Sequence, residues 1–210
     1  ETGIFVINRD LLQSIDGGIG SLLQPIQRVF HGLRGNTING SLANIRSHYD
    51  IGNDFFKLFL DETMMYSSGV YQNKNSTLHE ASELKIMTLC QKLDLKPEEH
   101  LIEIGTGWGS LAIYAAKTFG CRVTTTTISI EQFTYATEKV KHAGLQDRIT
   151  VLFDDYRKLT GVYDKLISVE MIEAVGLDNL DVFFAKCSSL IKPNGIMVLQ
   201  AITIRDQYYK

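Results

Sequence analysis

The stretch "LIEIGTGWGS", Leu101–Ser110, decides the fold class of this 210-residue chain. Its first four residues have the character of a buried β-strand. Gly105, Gly107 and Gly109 then follow at every second position. Glycine is needed where the backbone turns sharply or where a ligand comes close to it. The stretch therefore predicts the strand-to-helix turn that borders the ligand crevice of a doubly wound α/β sheet.

Short apolar runs alternate with helical stretches in the rest of the chain. The predicted strands are "LIEI", "CRVTTTT", "ITVLF", "YDKLISV" and "GIMVLQAIT", and the predicted helices are 110–118, 131–143 and 179–191, the last closed by "KPNG". This alternation predicts a parallel sheet with right-handed crossovers, which is a Rossmann-like domain. The fifth strand ends shortly before Lys210, so we expect the C-terminal strands of the full sheet to be missing from this chain.

Helical patterns precede the sheet. Apolar residues recur at spacings of three and four over 11–34 and predict two short helices, broken at "DGG". We divide the chain into an N-terminal helical segment, 1–40, and a Rossmann-like domain, 41–210. The first part of that domain, about 41–97, is predicted to form a helical lid. In it a loop at 51–53 separates one helix from a second that runs to about Leu60.

Charge and composition limit the classes of partner. With 21 Lys+Arg against 24 Asp+Glu, the chain has no overall basic field for nucleic acid. Between Gly17 and Tyr49 there are three arginines, two histidines and no acidic residue. This segment is either an ordinary solvated surface or a surface that meets anionic lipid headgroups.

Other sequence signals are missing. No apolar run reaches the roughly 18 residues of a membrane span, and no spacing typical of metal ligands is found. The three cysteines are far apart in the sequence, which suits the reduced thiols of a cytosolic protein.

The spacing of the glycines favours one kind of ligand. A dinucleotide turn runs Gly-x-Gly-x-x-Gly, whereas this turn runs Gly-x-Gly-x-Gly and is preceded by Glu103. A carboxylate at that place is unfavourable for a phosphate but suits a ligand with an ammonium and a sulfonium, such as S-adenosylmethionine. A dinucleotide and a purely structural turn remain as alternatives, because glycine-rich turns are individually weak signals.

Polar residues also follow the second and third predicted strands. Threonines replace the usual ribose-binding acid after the second strand, and Gln132 follows in the next helix. After the third strand, Asp154, Asp155 and Tyr156 are placed to bind the amino group and cover the face of an adenine, unless they form a solvated loop.

Seven segments, in this order, resemble the cyclopropane-fatty-acid synthase family, whose members are S-adenosylmethionine-dependent enzymes that modify double bonds of membrane lipid acyl chains. The segments are "HYDIGNDFF", "MMYSSGVY", "LIEIGTGWGS", "TISIEQ", "DDYR", "SVEMIEAVG" and "LQAIT". The resemblance covers nearly all of residues 35–205. Each segment alone is weak, but their order and spacing together are specific.

The resemblance implies a set of cofactor contacts. It places Tyr66, Ser67, Glu103, Gly105, Gly107 and Trp108 at the methionine end, Thr127 and Gln132 at the ribose, and Asp155 and Tyr156 at the adenine. An amide can bind a ribose hydroxyl, so Gln132 fits the missing acid after the second strand.

The family chemistry transfers a methyl group to a cis alkene and gives a carbocation, which loses a proton from the new methyl group as the ring closes. Water must be excluded, because it would capture the cation. In the family a bound bicarbonate is thought to act as the base. The resemblance implies that Glu173, Ser68, Gln200 and Ile202 form the corresponding site in this chain.

Three positions depart from the family pattern. Ala174 and Gln200 stand where many members have His, and Ser68 stands where they often have Cys. The backbone N–H groups of Ser68 and Ile202 and the amide of Gln200 can still donate to an anion. The departures keep a second product open, a methylene- or methyl-branched chain in place of a cyclopropane ring.

The resemblance implies unsaturated phospholipid acyl chains as the substrate. Together with the basic segment, it predicts a cytoplasmic enzyme that is peripheral at the inner face of an anionic membrane. The charge balance predicts no nucleic-acid partner, and a homodimer stays an open question. In the family the C-terminal part contributes further strands and an active-site tyrosine. If that part is absent, the chain is instead a non-catalytic module that binds lipid or cofactor. A nicotinamide-dependent oxidoreductase is a third hypothesis, which the glycine spacing disfavours.

Overall fold

The computed structural model describes residues 52–203. The predicted N-terminal helices, the basic segment Gly17–Tyr49, the beginning of the lid and the expected further C-terminal strands lie outside this range. Within it, the helices are α1 Asn53–Lys57, α2 Leu78–Leu93, α3 Ser110–Phe119, α4 Ile130–His142 and α5 Leu180–Leu190, and the strands are β1 His100–Ile104, β2 Arg122–Thr127, β3 Ile149–Phe153, β4 Tyr163–Val169 and β5 Ile191–Gln200.

The five strands form one parallel sheet in the order β3-β2-β1-β4-β5. The strand order reverses direction between β1 and β4. In sheets of this kind the ligand crevice lies outside the carboxyl ends of the strands at that reversal. The doubly wound fold predicted from the sequence is confirmed.

The three central strands of the sheet, β1, β2 and β4, are buried on both faces. Leu101 of β1 packs with residues of α2 and α3, whereas the adjacent Ile102 and Ile104 pack on the other face with Phe183 of α5. Successive side chains of a strand point to opposite faces. Two layers of helices therefore fix the sheet, and the carboxyl ends of its strands, from both sides.

Capping residues set where two of the helices begin. Thr77 and Glu80 form a reciprocal capping box at α2, and the Ser129 hydroxyl accepts a hydrogen bond from Gln132 N at the start of α4. Such caps satisfy backbone N–H groups that have no partner inside the helix. The α4 cap lies directly after β2, so it also positions Gln132 at the edge of the sheet.

Two boundaries differ from the sequence predictions. The helix predicted to run to about Leu60 ends at Lys57, because Leu58 N and Phe59 N donate to carbonyls only three residues back, which is a tighter turn. The "KPNG" turn lies inside β5, where pairing with β4 jumps from Ile191 to Ile196. The strand therefore starts earlier than predicted and accommodates the turn as an irregularity.

Candidate active site

The glycine turn lies at the carboxyl end of β1, beside β4. Gly105 N and Thr106 N both donate to Thr126 O, at 3.1 and 3.0 Å, which fixes the turn to β2. Gly107 has φ +52°, and a Cβ added there would meet no atom within 4 Å. The backbone is thus left-handed and faces open space, as a close approach to a ligand requires.

Glu103 lies beneath this turn. Its side chain is 2% exposed, and Thr125 Oγ1 donates to Glu103 Oε2 at 2.6 Å. Thr106 Oγ1 lies 2.7 Å from Thr125 Oγ1, so a chain of hydroxyls joins the carboxyl group to the turn. Burial raises the pKa of Glu103 to about 8. A cationic group near the turn would favour the charged form of this carboxyl.

Aromatic residues cover one side of the turn. Trp108 is buried, its Nε1 donates to Asn53 Oδ1 at 2.7 Å, and its ring lies 4.9 Å from that of Phe56. Tyr66 packs edge-on against Phe56, with 5.4 Å between ring centroids, and is itself exposed. The structure therefore brings two of the predicted methionine-end residues together around Phe56, and joins α1 to the turn.

Ser67, another predicted contact at the methionine end, is held by a buried lysine. Lys85 Nζ donates to Ser67 O at 3.1 Å and to Ser67 Oγ at 2.5 Å. Lys85 is 1% exposed, and burial lowers its pKa to about 8. The next residue of the loop, Ser68, is followed by Gly69, whose backbone packs on Ala81 of α2. The loop is anchored to α2 on both sides of Ser68.

The predicted ribose contacts are paired at the end of β2. Thr127 Oγ1 donates to Gln132 Oε1 at 2.8 Å, and both side chains are buried. Ser129 N in turn donates to Thr127 Oγ1 at 3.2 Å. Whether this pair binds a ribose stays a prediction.

The predicted adenine contacts follow β3. Asp155 receives hydrogen bonds from Arg157 N and Nε at Oδ1 and from Arg157 Nη2 at Oδ2, at 2.6 to 2.9 Å. Burial raises its pKa, but the bonds from Arg157 outweigh that effect and lower the pKa below its ordinary value. The ring of Tyr156 packs edge-on against Phe183. A carboxylate has about four acceptor positions, so Asp155 retains capacity for an amino group beside Arg157.

Three hydrogen-bond donors converge on Glu170, a residue that the sequence analysis missed. Glu170 Oε1 accepts from Ser68 N at 3.0 Å, from Ser68 Oγ at 2.7 Å and from Gln200 Nε2 at 2.8 Å. Glu170 N donates to Gln200 O at 2.9 Å. Glu170 directly follows β4 at the carboxyl edge of the sheet, a position that could have identified it from the sequence.

The other predicted members of this site meet two residues further along. Glu173 Oε1 accepts from Ile202 N at 2.6 Å, and both residues are exposed in the described part of the chain. The four residues that were predicted to hold bicarbonate thus form two pairs beside the ends of β4 and β5: Ser68 with Gln200, and Glu173 with Ile202. However, the hydrogen-bond donors of Ser68, Gln200 and Ile202 point to the carboxylates of Glu170 and Glu173. The arrangement of these residues therefore does not fit an additional anion.

This cluster adjoins the glycine turn. A Cβ at Gly105 would lie 3.4 Å from the Cβ of Met171, the residue after Glu170. The arrangement places a carboxylate cluster next to an open backbone turn at the topological switch point. Across residues 52–203 no group of His, Cys, Asp and Glu is arranged to hold a metal ion, and no helix is long and apolar enough to cross a membrane.

The fold and this site define the class of Rossmann-like proteins that bind a nucleotide-containing cofactor at the switch point of the sheet. Residues 37–210 match the family model described as mycolic acid cyclopropane synthetase, so the chain belongs to that family. The family predicted from the sequence is confirmed.

Two curated relatives are equally similar to the chain. Tuberculostearic acid methyltransferase UfaA1 of Mycobacterium tuberculosis is 40% identical over 168 residues, which cover 77% of this chain and 39% of the relative. Cyclopropane-fatty-acyl-phospholipid synthase of Escherichia coli K12 is 40% identical over 157 residues, which cover 75% of this chain and 40% of the relative. The family and these relatives support the predicted class of enzyme, S-adenosylmethionine-dependent methyltransferases. The chain spans about two fifths of the length of each relative.

A solved structure shares the fold. The crystal structure of mycolic acid cyclopropane synthase CmaA1 complexed with SAH and CTAB superposes with a TM-score of 0.72 at 31% identity, covering 75% of this chain and 55% of that chain.

Proposed function

We propose that this protein alkylates the cis double bond of an unsaturated phospholipid acyl chain with S-adenosylmethionine and forms a cyclopropane ring. When bound, S-adenosylmethionine supplies an electrophilic methyl group. Tyr66, Ser67 and the turn from Glu103 to Trp108 would hold its methionine end, Thr127 and Gln132 its ribose, and Asp155 and Tyr156 its adenine. The open backbone at Gly107 and the buried carboxyl of Glu103 support this fit.

One observation carries the proposal: the carboxylate cluster at the ends of β4 and β5 adjoins the glycine turn, since a Cβ added at Gly105 would lie 3.4 Å from the Cβ of Met171. Adding a methyl group to an alkene creates a positive charge on the acyl chain, and forming the product requires loss of a proton. Carboxylates beside the turn can meet both needs, since they stabilise a nearby cation and accept a proton.

The reaction is tested by product analysis with methyl-deuterated S-adenosylmethionine. The full-length protein is incubated with vesicles of a cis-monounsaturated phospholipid, and the acyl chains are released and analysed by mass spectrometry. Ring formation predicts acyl chains that gain one carbon carrying two deuterons and resist mild hydrogenation of alkenes. Unchanged acyl chains in the presence of bound cofactor would contradict the proposed substrate class.

A methylene- or methyl-branched chain is the second candidate product. The similarity to a tuberculostearic acid methyltransferase favours it as much as the similarity to a cyclopropane synthase favours the ring. In the same experiment, a methylene product takes up hydrogen on mild hydrogenation, and a saturated branched product carries its added carbon as a methyl group. Either result would replace the ring in the proposal while keeping the cofactor and the alkene.

We also propose that the protein works at the inner face of an anionic membrane as a peripheral enzyme. The support is the sequence of Gly17–Tyr49, which has three arginines and no acidic residue. Co-sedimentation with anionic and neutral vesicles at low and high salt tests this. We expect binding to anionic vesicles that high salt releases; binding that ignores both salt and headgroup charge would contradict the electrostatic basis.

A further inference from the structure

Glu170 occupies the place at which the resemblance would put an anion from solution. Ser68 N, Ser68 Oγ and Gln200 Nε2 all donate to its Oε1, at 3.0, 2.7 and 2.8 Å. Among residues 52–203, Oε2 of the same carboxylate accepts no hydrogen bond. One oxygen is therefore anchored by three donors, and the other is left for a further interaction.

The backbone at Glu170 is held in a costly conformation. Its φ is +47°, in the left-handed region that a residue with a Cβ occupies at a cost of about 1–2 kcal/mol. Such strain persists only where surrounding contacts enforce it, and it is concentrated at functional sites. Here the enforcing contacts are the three donors and the bond from Glu170 N to Gln200 O.

The donors themselves are rigidly placed. Lys85 fixes Ser67, and Val70 N donates to Ala81 O at 3.0 Å, so the loop carrying Ser68 is tied to α2 on both sides. Gln200 ends β5, which pairs with β4 up to Val169. The Glu170 carboxylate is thus held by donors from two separate elements, Ser68 in the loop and Gln200 at the end of β5, which together we call the cradle. The positive charge of Lys85, in α2, also interacts with the negative charge of the Glu170 carboxylate.

We propose that Glu170 is the chain's own base for the proton-removal step and takes the place of bicarbonate. This inference rests on the proposed function. In the step, a C–H bond of the newly added methyl group breaks and its proton moves to Glu170 Oε2. The electron pair of that bond closes the cyclopropane C–C bond and neutralises the carbocation. Glu170 leaves the step as a neutral carboxylic acid and returns the proton to solvent.

A purely structural role for Glu170 makes a different prediction. A side chain that only links Ser68 to Gln200 by hydrogen bonds needs one acceptor oxygen at the position of Oε1. The amide oxygen of glutamine supplies such an acceptor as well. Glu170→Gln should then leave turnover near the wild-type rate. For a base, the same variant removes the proton acceptor, and general base catalysis is worth about 10²–10⁴-fold in rate.

The test compares wild type with Glu170→Gln and Glu170→Gly in bicarbonate-free buffer and with added bicarbonate. We expect wild-type turnover to be independent of bicarbonate, and Glu170→Gln to lose about 10²-fold or more without rescue, because its amide still fills the cradle. Glycine suits φ +47° and empties the cradle. Glu170→Gly should therefore be inactive alone and regain turnover saturably with bicarbonate.

Binding of ¹³C-labelled bicarbonate, followed by NMR line broadening, gives a readout that needs no turnover. We expect broadening with Glu170→Gly and none with wild type. Glu173→Gln is the matched control: it removes the neighbouring carboxylate, keeps an acceptor for Ile202 N, and should lose at least tenfold less activity than Glu170→Gln.

Three results would overturn the inference while leaving the proposed function intact: a bicarbonate requirement or bicarbonate binding in wild type, wild-type turnover by Glu170→Gln, or a larger loss at Glu173 than at Glu170. If wild type binds S-adenosylmethionine but yields no alkylated lipid with or without bicarbonate, the proposed function fails, and the role as base fails with it.

Discussion

Replacing the buried carboxyl group of Glu103 by an amide should change how the stability of the protein depends on pH. Its pKa is raised from 4.5 to about 8 by burial. Between these values the folded protein keeps a proton that the unfolded chain releases. Since the folded state binds more protons, the free energy of unfolding falls as pH rises through this window.

The size of the effect follows from the linkage of one proton. Each pH unit well inside the window costs about 1.4 kcal/mol, so the contribution of Glu103 falls by about 2 to 3 kcal/mol between pH 5 and pH 7. Glu103→Gln carries no titrating group at this position. The stability of wild type relative to the variant should therefore fall by this amount over the same range.

The assay is urea denaturation of both proteins at pH 5, 6 and 7, with unfolding free energies compared at each pH. The other titrating groups, among them His79 and His100, are common to both proteins and cancel in the difference. Glu98→Gln, which removes an exposed carboxylate, serves as a control for the loss of one acidic group. Parallel pH dependences for wild type and Glu103→Gln would refute the raised pKa.

Two further predictions concern the scaffold of the site. Lys85→Met should lower lipid alkylation at least tenfold, because Ser67 loses both hydrogen bonds from Lys85, one of the two anchors of its loop on α2. Lys85→Arg should retain more activity, and a wild-type rate for Lys85→Met in a radiolabel transfer assay would contradict this role. Gly109→Ala should lower the melting temperature more than Gly144→Ala, because both have positive φ but only at Gly109 does an added Cβ come within 3.1 Å of another atom, the Cβ of Ala136. Left-handed backbone strain of about 1–2 kcal/mol at each position should lower the melting temperature of both variants by several degrees, as measured by calorimetry. The melting temperature of Gly109→Ala should fall clearly further. Equal decreases in melting temperature would exclude close packing of the start of α3 on α4.

The fold was largely predictable because strand and helix alternate with clear hydrophobic patterns. The turn after β1 was predictable from glycine spacing, and the ends of β2, β3 and β4 from the polar residues that follow them. The early start of β5 was not, since "KPNG" has the composition of a turn. Its place inside a strand depends on pairing with β4, which local sequence does not encode.

The site was predictable in position but not in its hydrogen bonding. Residues that follow parallel strands meet at one edge of the sheet, so the grouping of Ser68, Gln200, Glu173 and Ile202 followed once the family resemblance was recognised. The role of Glu170 as acceptor depends on its left-handed backbone and on a partner 102 residues away. Lys85 was missed for a similar reason, because a lysine on a helix is ordinarily solvated.

The measurement that tests the proposed function most directly is transfer of a ¹⁴C-labelled methyl carbon from S-adenosylmethionine to phospholipid by the full-length protein. Matched vesicles contain cis-monounsaturated, trans-monounsaturated or saturated acyl chains. We expect label in the acyl chains of the cis-monounsaturated lipid and little in the other two. Label in all three lipids, or in the headgroup, would contradict alkylation of a cis double bond, as would bound cofactor with no labelled lipid.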